Sequence, residues 1–310
     1  MSAHSGFTSE PAREHQRNGV SRFRYSSNVI VDVHSHYWEY PEHFSEDFKQ
    51  QARRARGDVE VDLTVRWSEY HATATACDKT VVFGGKAKLS GLWVPDAVVA
   101  KYAASQPGKL IGFLSLDPTQ PGWQDELTEG HQDLKLKGIK LMPMYAGFLP
   151  QDRRFDYLWE YATRHGLPVL LHTGTTFISQ APLECTLPRW LDEVATRFPE
   201  VRMICAHLGH PYEGECVATI RKHPNVYADC SALHYRPFQL YHSLMLLQEY
   251  GVWNKLLLGS DYPFTTVDAS LKGMRGLNDM LEGTRLPRLD VDKMEAMFQR
   301  DSLRILGIDA

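Results

Sequence analysis

Eight short apolar runs recur along this chain, and amphipathic stretches separate them. The runs cover residues 29–34, 80–83, 110–116, 138–142, 168–172, 201–207, 225–230 and 255–260. Strand then helix, repeated in this way, requires a parallel sheet, because each helix carries the chain back to start the next strand in the same direction. With eight such units the expected closure is a (β/α)8 TIM barrel, and 310 residues fit a barrel of ~250 residues with insertions. The alternative is a doubly wound open sheet. It would place a glycine-rich phosphate loop after the first strand, and "HSHYWEY" is not one.

The intervening segments read as helices. In "RRFDYLWEYATRHG", Phe155, Leu158, Trp159 and Ala162 fall at helical spacing and Gly166 supplies the stop. In "LPRWLDEVATRFPE", Trp190, Leu191, Val194 and Phe198 share one face. "DKMEAMFQRDSLRILGI" reads as a closing helix. Residues 1–28 form a polar tail without the apolar stretch of a secretory signal. Residues 29–310 are expected to form the single barrel, with insertions near 37–62 and 262–292 as candidate lids or subunit contacts.

The ends of the runs carry the chemistry. The first ends in His34 and His36, the fifth in His172, the sixth in His207 with His210 close behind, and the eighth is followed by Asp261. Strand residues i and i+2 point the same way, so His34 and His36 can reach one point. In a barrel every strand's C-terminal end faces one mouth. Three or four imidazoles and a carboxylate there make a site for Zn, Fe or Mn. Lys140 alternates with Ile139 and Leu141, so it points into the barrel, where a lysine is costly unless compensated. It pairs with an inward carboxylate such as Asp32, neutralises substrate, or is carboxylated and bridges two metals.

Net charge of −4 argues against a nucleic-acid partner, and no run of about 18 apolar residues exists to span a membrane. Five cysteines (Cys77, Cys185, Cys205, Cys216 and Cys230) show no C-x-x-C spacing, which suits packing residues in a reducing cytoplasm.

"DVHSH", "GIKLMP", "LPVLLHTG", "VRMICAHLGH" and "LLLGSDYPF" together resemble the amidohydrolase superfamily, in the branch that holds aminocarboxymuconate-semialdehyde-type decarboxylases, resorcylate-type decarboxylases, lactonases and other hydrolases. The resemblance covers about residues 29–308. It implies that His34, His36, His172 and Asp261 are metal ligands. It makes His207 catalytic with one metal, or a ligand with two. It puts Lys140 where two-metal members carry a bridging carboxylated lysine. Relatives often show glycine where His210 stands, so His210 is an extra acid–base group or, preferably, a capping residue. Asp301 replaces a common asparagine and is expected to be structural.

The preferred activity is hydrolysis: metal-activated water attacks an ester, lactone, thioester or amide carbonyl, with Asp261 as general base and His207 stabilising the oxyanion. The alternative is non-oxidative decarboxylation of an aromatic or unsaturated acid, with Arg66, Lys86, Lys88 and Arg236 as candidate cationic groups. A barrel that binds without turnover would be expected to have lost a ligand, and every ligand position is filled. Trp38, Tyr145, His210, His234 and Tyr262, with Tyr37 and Phe177, are expected around a small, partly apolar substrate. One or two divalent cations per chain and a homodimer complete the expectation.

Overall fold

The computed structural model describes residues 29–309. The polar segment 1–28 lies outside the described residues. Eleven strands occur among the described residues: β1 (Val31–His36), β2 (Lys79–Phe83), β3 (Lys86–Ala87), β4 (Leu92–Trp93), β5 (Leu110–Gly112), β6 (Leu114–Leu116), β7 (Ile139–Leu141), β8 (Val169–Leu171), β9 (Met203–Cys205), β10 (Val226–Asp229) and β11 (Leu256–Leu257).

Parallel pairing runs β1-β2-β5 in one sheet and β6-β7-β8-β9-β10-β11 in another, in chain order. The run at 110–116 serves both sheets, and Phe113 is the changeover. Its N–H donates to Val82 O (2.9 Å), and the next residue, Leu114, donates to Gly138 O (2.9 Å). At the far edge the chain returns to its start. Val33 N–H donates to Leu258 O (2.9 Å), His36 N–H to Tyr262 O (2.8 Å), and Ser35 bridges Tyr262 in parallel. Eight strand positions thus follow one another around an α/β barrel. β3 and β4 add a small antiparallel hairpin that the apolar pattern did not announce.

Parallel neighbours in register share a face, so Lys140, Leu170 and Ile204 form one row across β7, β8 and β9. Leu170 and Ile204 pack with Phe83 and Phe113 in a buried cluster that Leu303, Leu306 and Ile308 complete. The alternate residues Ile139, Leu141, Val169, Leu171, Met203 and Cys205 join the larger core beneath the helices. Burial on both faces is what a parallel sheet demands, and it explains why the strands read as nearly continuous apolar runs.

Within 37–62, Ser45 caps the helix Glu46–Ala55 by accepting from Phe48 N (3.2 Å), with Glu46 and Asp47 in the first turn. Gln51 of this helix accepts from Ser179 N (2.7 Å) and donates to Gln180 Oε1 (2.9 Å), which ties the helix to the loop after β8. The segment 262–292 contains a helix that packs into the core. That helix, Val267–Arg275, buries Val267, Leu271 and Met274 in the larger core. Asp301 caps the last helix, Ser302–Ile305, through Arg304 N (3.1 Å).

Candidate metal centre

β1 runs through both of its histidines, with a register shift between Asp32 and Ser35. His34 Nε2 and His36 Nε2 lie 3.2 Å and 3.1 Å from the same oxygen, Asp261 Oδ1. Asp261 leaves the barrel's last strand in the left-handed region, φ 66°, a conformation that is uncommon for a non-glycine residue and clusters at functional sites. Its N–H donates to His34 O (2.7 Å), so the carboxylate is fixed to the strand it serves. His36 donates from Nδ1 to Gly84 O (3.3 Å), stacks on Trp38 with ring centroids 4.3 Å apart, and meets the edge of Phe83. These donor atoms of His34, His36 and Asp261 all lie within 4.8 Å of one another, and all three residues are buried.

Asp229, at the end of β10, was not singled out from the sequence. Its Oδ2 accepts from His34 Nδ1 (2.9 Å), which turns the lone pair of Nε2 toward Asp261. Its Oδ1 accepts from His207 N (3.1 Å), Ser231 N (3.0 Å) and Ser231 Oγ. The available signal was a carboxylate on the inward register of "NVYADC". Burial is the largest single influence and raises the Asp229 carboxyl, but His34, His207 and Ser231 together hold it far below the usual carboxylate range.

His172 and His207 sit beside this set. His207 Nε2 is 3.3 Å from His172 Nδ1, and His207 Nδ1 is 2.8 Å from Ser231 Oγ. His172 Nε2 donates to Thr175 O (3.2 Å). His207 and Leu208 are both left-handed (φ 57° and 49°), which turns the chain sharply after β9. Gly174 allows this packing. A Cβ there would stand 2.7 Å from His207 Cδ2 and 3.4 Å from His172 Cε1.

Lys140 is 1% exposed. Its Nζ lies 3.4 Å from His34 Nε2 and 4.5 Å from the centre of the Phe83 ring. The expected pairing with Asp32 is not formed. Asp32 turns instead to Ser260 N (2.9 Å), Ser260 Oγ (2.6 Å) and Tyr70 OH (3.0 Å), which donate to it. Burial pushes Lys140 down to about 7 and both His36 and His207 down to about 4; it also lowers His172 well below its ordinary value. The low values leave these imidazoles neutral at neutral pH, the state a metal requires of them.

The site opens into a pocket of about 570 Å³ lined by Tyr145, His172, His207, His210, Asp261 and Phe264. Phe177 and Leu233 also line it, and Ala52, Ala55 and Arg56 cover it from the 46–55 helix. Tyr145 and His210 thus line the pocket. Trp38, His234 and Tyr262 do not line this pocket. Trp38 is spent on His36, His234 packs on Ser270 and Gly273, and Tyr262 packs against Tyr70. Among the cationic candidates, Arg66 pairs with Asp62 and Glu69, Lys86 with Asp96 and Glu126, and Lys88 lines a different cleft. Arg236 lines the mouth, as does Arg56, which sequence reasoning missed. Cys205 faces the helix layer, where its thiol hydrogen-bonds with the free thiol of Cys216, rather than the site.

The amidohydrolase family model matches residues 31–308, the span that carries the barrel and the residues that could hold a metal. The chain belongs to the amidohydrolase family. No curated protein matches it in sequence. Its fold is similar to that of 5-carboxyvanillate decarboxylase from Sphingomonas paucimobilis, at 13% identity and TM-score 0.61 over 91% of this chain and 100% of that one. A probable 2-pyrone-4,6-dicarboxylic acid hydrolase from Acinetobacter baumannii gives 16% identity and TM-score 0.61 over 90% and 99%. An amidohydrolase from Burkholderia multivorans with bound Zn gives 13% and 0.64 over 91% and 100%. At these identities the likeness shows the fold. As an amidohydrolase-family enzyme the chain carries residues that could hold a metal, and among the described residues no helix is long and apolar enough to cross a membrane.

Proposed function

We propose that this amidohydrolase-family enzyme is a metal-dependent hydrolase of small, partly apolar, carboxylate-type substrates bearing an ester, lactone, thioester or amide. The observation that carries the reading is the position of Asp261. Its Oδ1 faces His34 Nε2 and His36 Nε2, and the residue lines the open pocket.

The donor set fits a divalent cation: two imidazoles and a carboxylate, with the His34 ring oriented by Asp229 and the His36 ring by Gly84 O. His34, His36 and Asp261 would hold Zn, Fe or Mn, with His172 and His207 beside them and Lys140, as its carbamate, available to a second ion. The cation supplies Lewis acidity and lowers the pKa of water. The chain's own residues do the rest. Asp261 takes the proton of the attacking water, since its carboxylate is ionised and reaches the pocket. His207, held by Ser231, faces the oxygen that gains charge on the substrate carbonyl. Tyr145 and Phe177 exclude water from the apolar body of the substrate, and Ala52 and Ala55 close over it.

A second reading, decarboxylation of an aromatic acid, is favoured by Arg56 and Arg236. Both line the mouth, and neither has an acidic partner among the described residues. The fold relatives include both chemistries. The same proposal places the chain in the cytoplasm as a dimer, and all five cysteines are free, as a reducing compartment would keep them. The test is turnover of lactone, ester and hydroxybenzoate panels by metal-loaded protein in H2¹⁸O. Label in the product acid supports hydrolysis. Released CO2 with solvent hydrogen on the product ring would replace it with decarboxylation.

A further inference from the structure

Three successive residues after β9 are left-handed: His207, Leu208 and Gly209, with φ of 57°, 49° and 67°. The turn has no room for a side chain at Gly209, where a Cβ would stand 2.7 Å from Pro188 Cγ and 2.8 Å from Cys216 Cβ. Backbone of this kind clusters where a site needs it. Its result is that His210 N donates to His207 O (2.9 Å), which sets a second imidazole beside His207 on the wall of the same pocket.

His210 was expected to be a capping residue, but no side chain caps the helix Glu213–Lys222. His210 Nδ1 instead donates to Glu213 Oε1 at 2.7 Å. Both residues are buried, and Ser243 Oγ lies 3.3 Å from the same carboxylate oxygen. Burial is the largest influence on the Glu213 carboxyl and raises it, but His210, the helix backbone and Ser243 together hold it below the ordinary value. An ionised carboxylate only accepts, so the hydrogen in this bond belongs to Nδ1, and the ring carries its lone pair on Nε2. Nε2 has no hydrogen-bond partner among the described residues. Unlike Trp38 Nε1, it is not sealed inside the protein either. It keeps an open side, and the open space that His210 lines is the pocket.

Holding the turn needs Nδ1 alone. Neither group of residues that could hold a cation includes His210, so the lone pair of Nε2 is left for the substrate. A bare imidazole nitrogen takes a hydrogen bond from a donor and turns away an ether or carboxylate oxygen, which offers only lone pairs. In a mostly apolar pocket a few fixed polar atoms of this kind set orientation and specificity.

We propose that His210 Nε2 accepts a hydrogen bond from a hydroxyl group of the substrate, away from the reacting carbon, and that Glu213 is the positioning residue that keeps this nitrogen bare. The assignment rests on the mouth pocket being the substrate site. It holds for hydrolysis and for decarboxylation alike. The reacting end of the substrate faces Asp261, and its O–H faces the turn after β9. An analogue with hydrogen or methoxy in place of that hydroxyl is disfavoured.

The test has two readouts on metal-loaded protein at neutral pH. The first is calorimetric titration with 3- and 4-hydroxybenzoate, whose hydroxyls lie too far from the carboxylate to share its ion, against benzoate and the matching methoxybenzoates. One hydroxy isomer is expected to bind about 10-fold or more tighter than benzoate and than its methoxy counterpart. His210→Ala should erase the preference over benzoate while metal per chain stays unchanged. Glu213→Gln can offer an amide N–H to Nδ1, which moves the ring proton to Nε2, so preference should shift from hydroxy toward methoxy. A merely structural link would weaken all the acids alike. The second readout is the ¹⁵N shifts of the His210 ring, with a protonated Nδ1 and a bare Nε2 expected in the wild type and the reverse in Glu213→Gln. A wild-type ring protonated at Nε2 would overturn the assignment, as would an undiminished hydroxyl preference in folded, metal-loaded His210→Ala; both leave the proposed function standing. Failure of every one of these acids to bind would overturn the assignment together with the reading of this pocket as the site of a small acid.

Discussion

Asp229 accepts the Nδ1 proton of His34 at 2.9 Å and, through its other oxygen, the backbone N–H of His207 at 3.1 Å. One carboxylate therefore sets a ring on the first strand and a turn behind the sixth barrel position. Asp229→Asn keeps the shape but presents a donor to one of these partners. The tautomer of His34 is then contested, and metal affinity is expected to fall about 10–100-fold, the usual loss when an outer partner of a ligating histidine is removed. Competition with a chromogenic chelator measures this. An unaltered affinity would mean that Ser231 or the backbone alone orients His34.

Chelation should destabilise the folded chain. A cation present at 100 times its Kd contributes about 2.7 kcal/mol to the folded state. Tm is therefore expected to drop by several degrees in chelator and to recover on adding Zn or Mn. In Asp261→Ala the chelator should have little effect, since the oxygen shared by His34 and His36 is gone. A wild-type Tm indifferent to chelator would contradict the proposed metal set.

Gly174→Ala probes the histidine pair without touching the three-residue set. The new methyl would lie 2.7 Å from the His207 ring, so the ring must shift. Overpacking of this kind costs typically about 1–3 kcal/mol. Bound metal should be retained at His34, His36 and Asp261, and kcat should fall about 10-fold or more. Normal kcat with a shifted His207 would remove that residue from the chemistry.

Asp32 joins the two ends of the barrel. It accepts from His34 N, Ser260 N, Ser260 Oγ and Tyr70 OH. Asp32→Ala leaves buried donors unpaired at about 1–3 kcal/mol each, so denaturant unfolding should show a loss of about 2–4 kcal/mol after relaxation. Asp32→Asn keeps one acceptor oxygen and should lose less. Equal losses would show that ionisation of Asp32, rather than its acceptor oxygens, holds the seam.

The readable part of this protein was the part with a period. Inward Lys140 followed from the alternation of "GIKLMP", and His34, His36 and Asp261 followed from their places after apolar runs. The missed residues lack such a signal. Asp229 is a lone carboxylate in a strand that otherwise reads as packing. Trp38 follows a strand end, as a pocket aromatic would, and only coordinates reveal that it stacks on His36 instead. Arg56 directly follows the helix Glu46–Ala55, which Gln51 ties to Ser179 and Gln180 far along the chain. The Lys140–Asp32 pairing does not form because Asp32 is already taken by Tyr70 and Ser260, partners from distant parts of the chain that no period foretells.

The carboxylate at the centre of the site stands 225 positions beyond His36 in the chain. A nascent or partly folded chain can therefore show two histidines, but it has no complete cage until the last strand comes home beside the first. Pairings so distant in sequence form slowly, because the whole intervening loop must first be closed. With the proposed metal set, capture of an ion would thus be a late event in the life of this molecule. An ion that the chain holds firmly is a certificate that the barrel has closed.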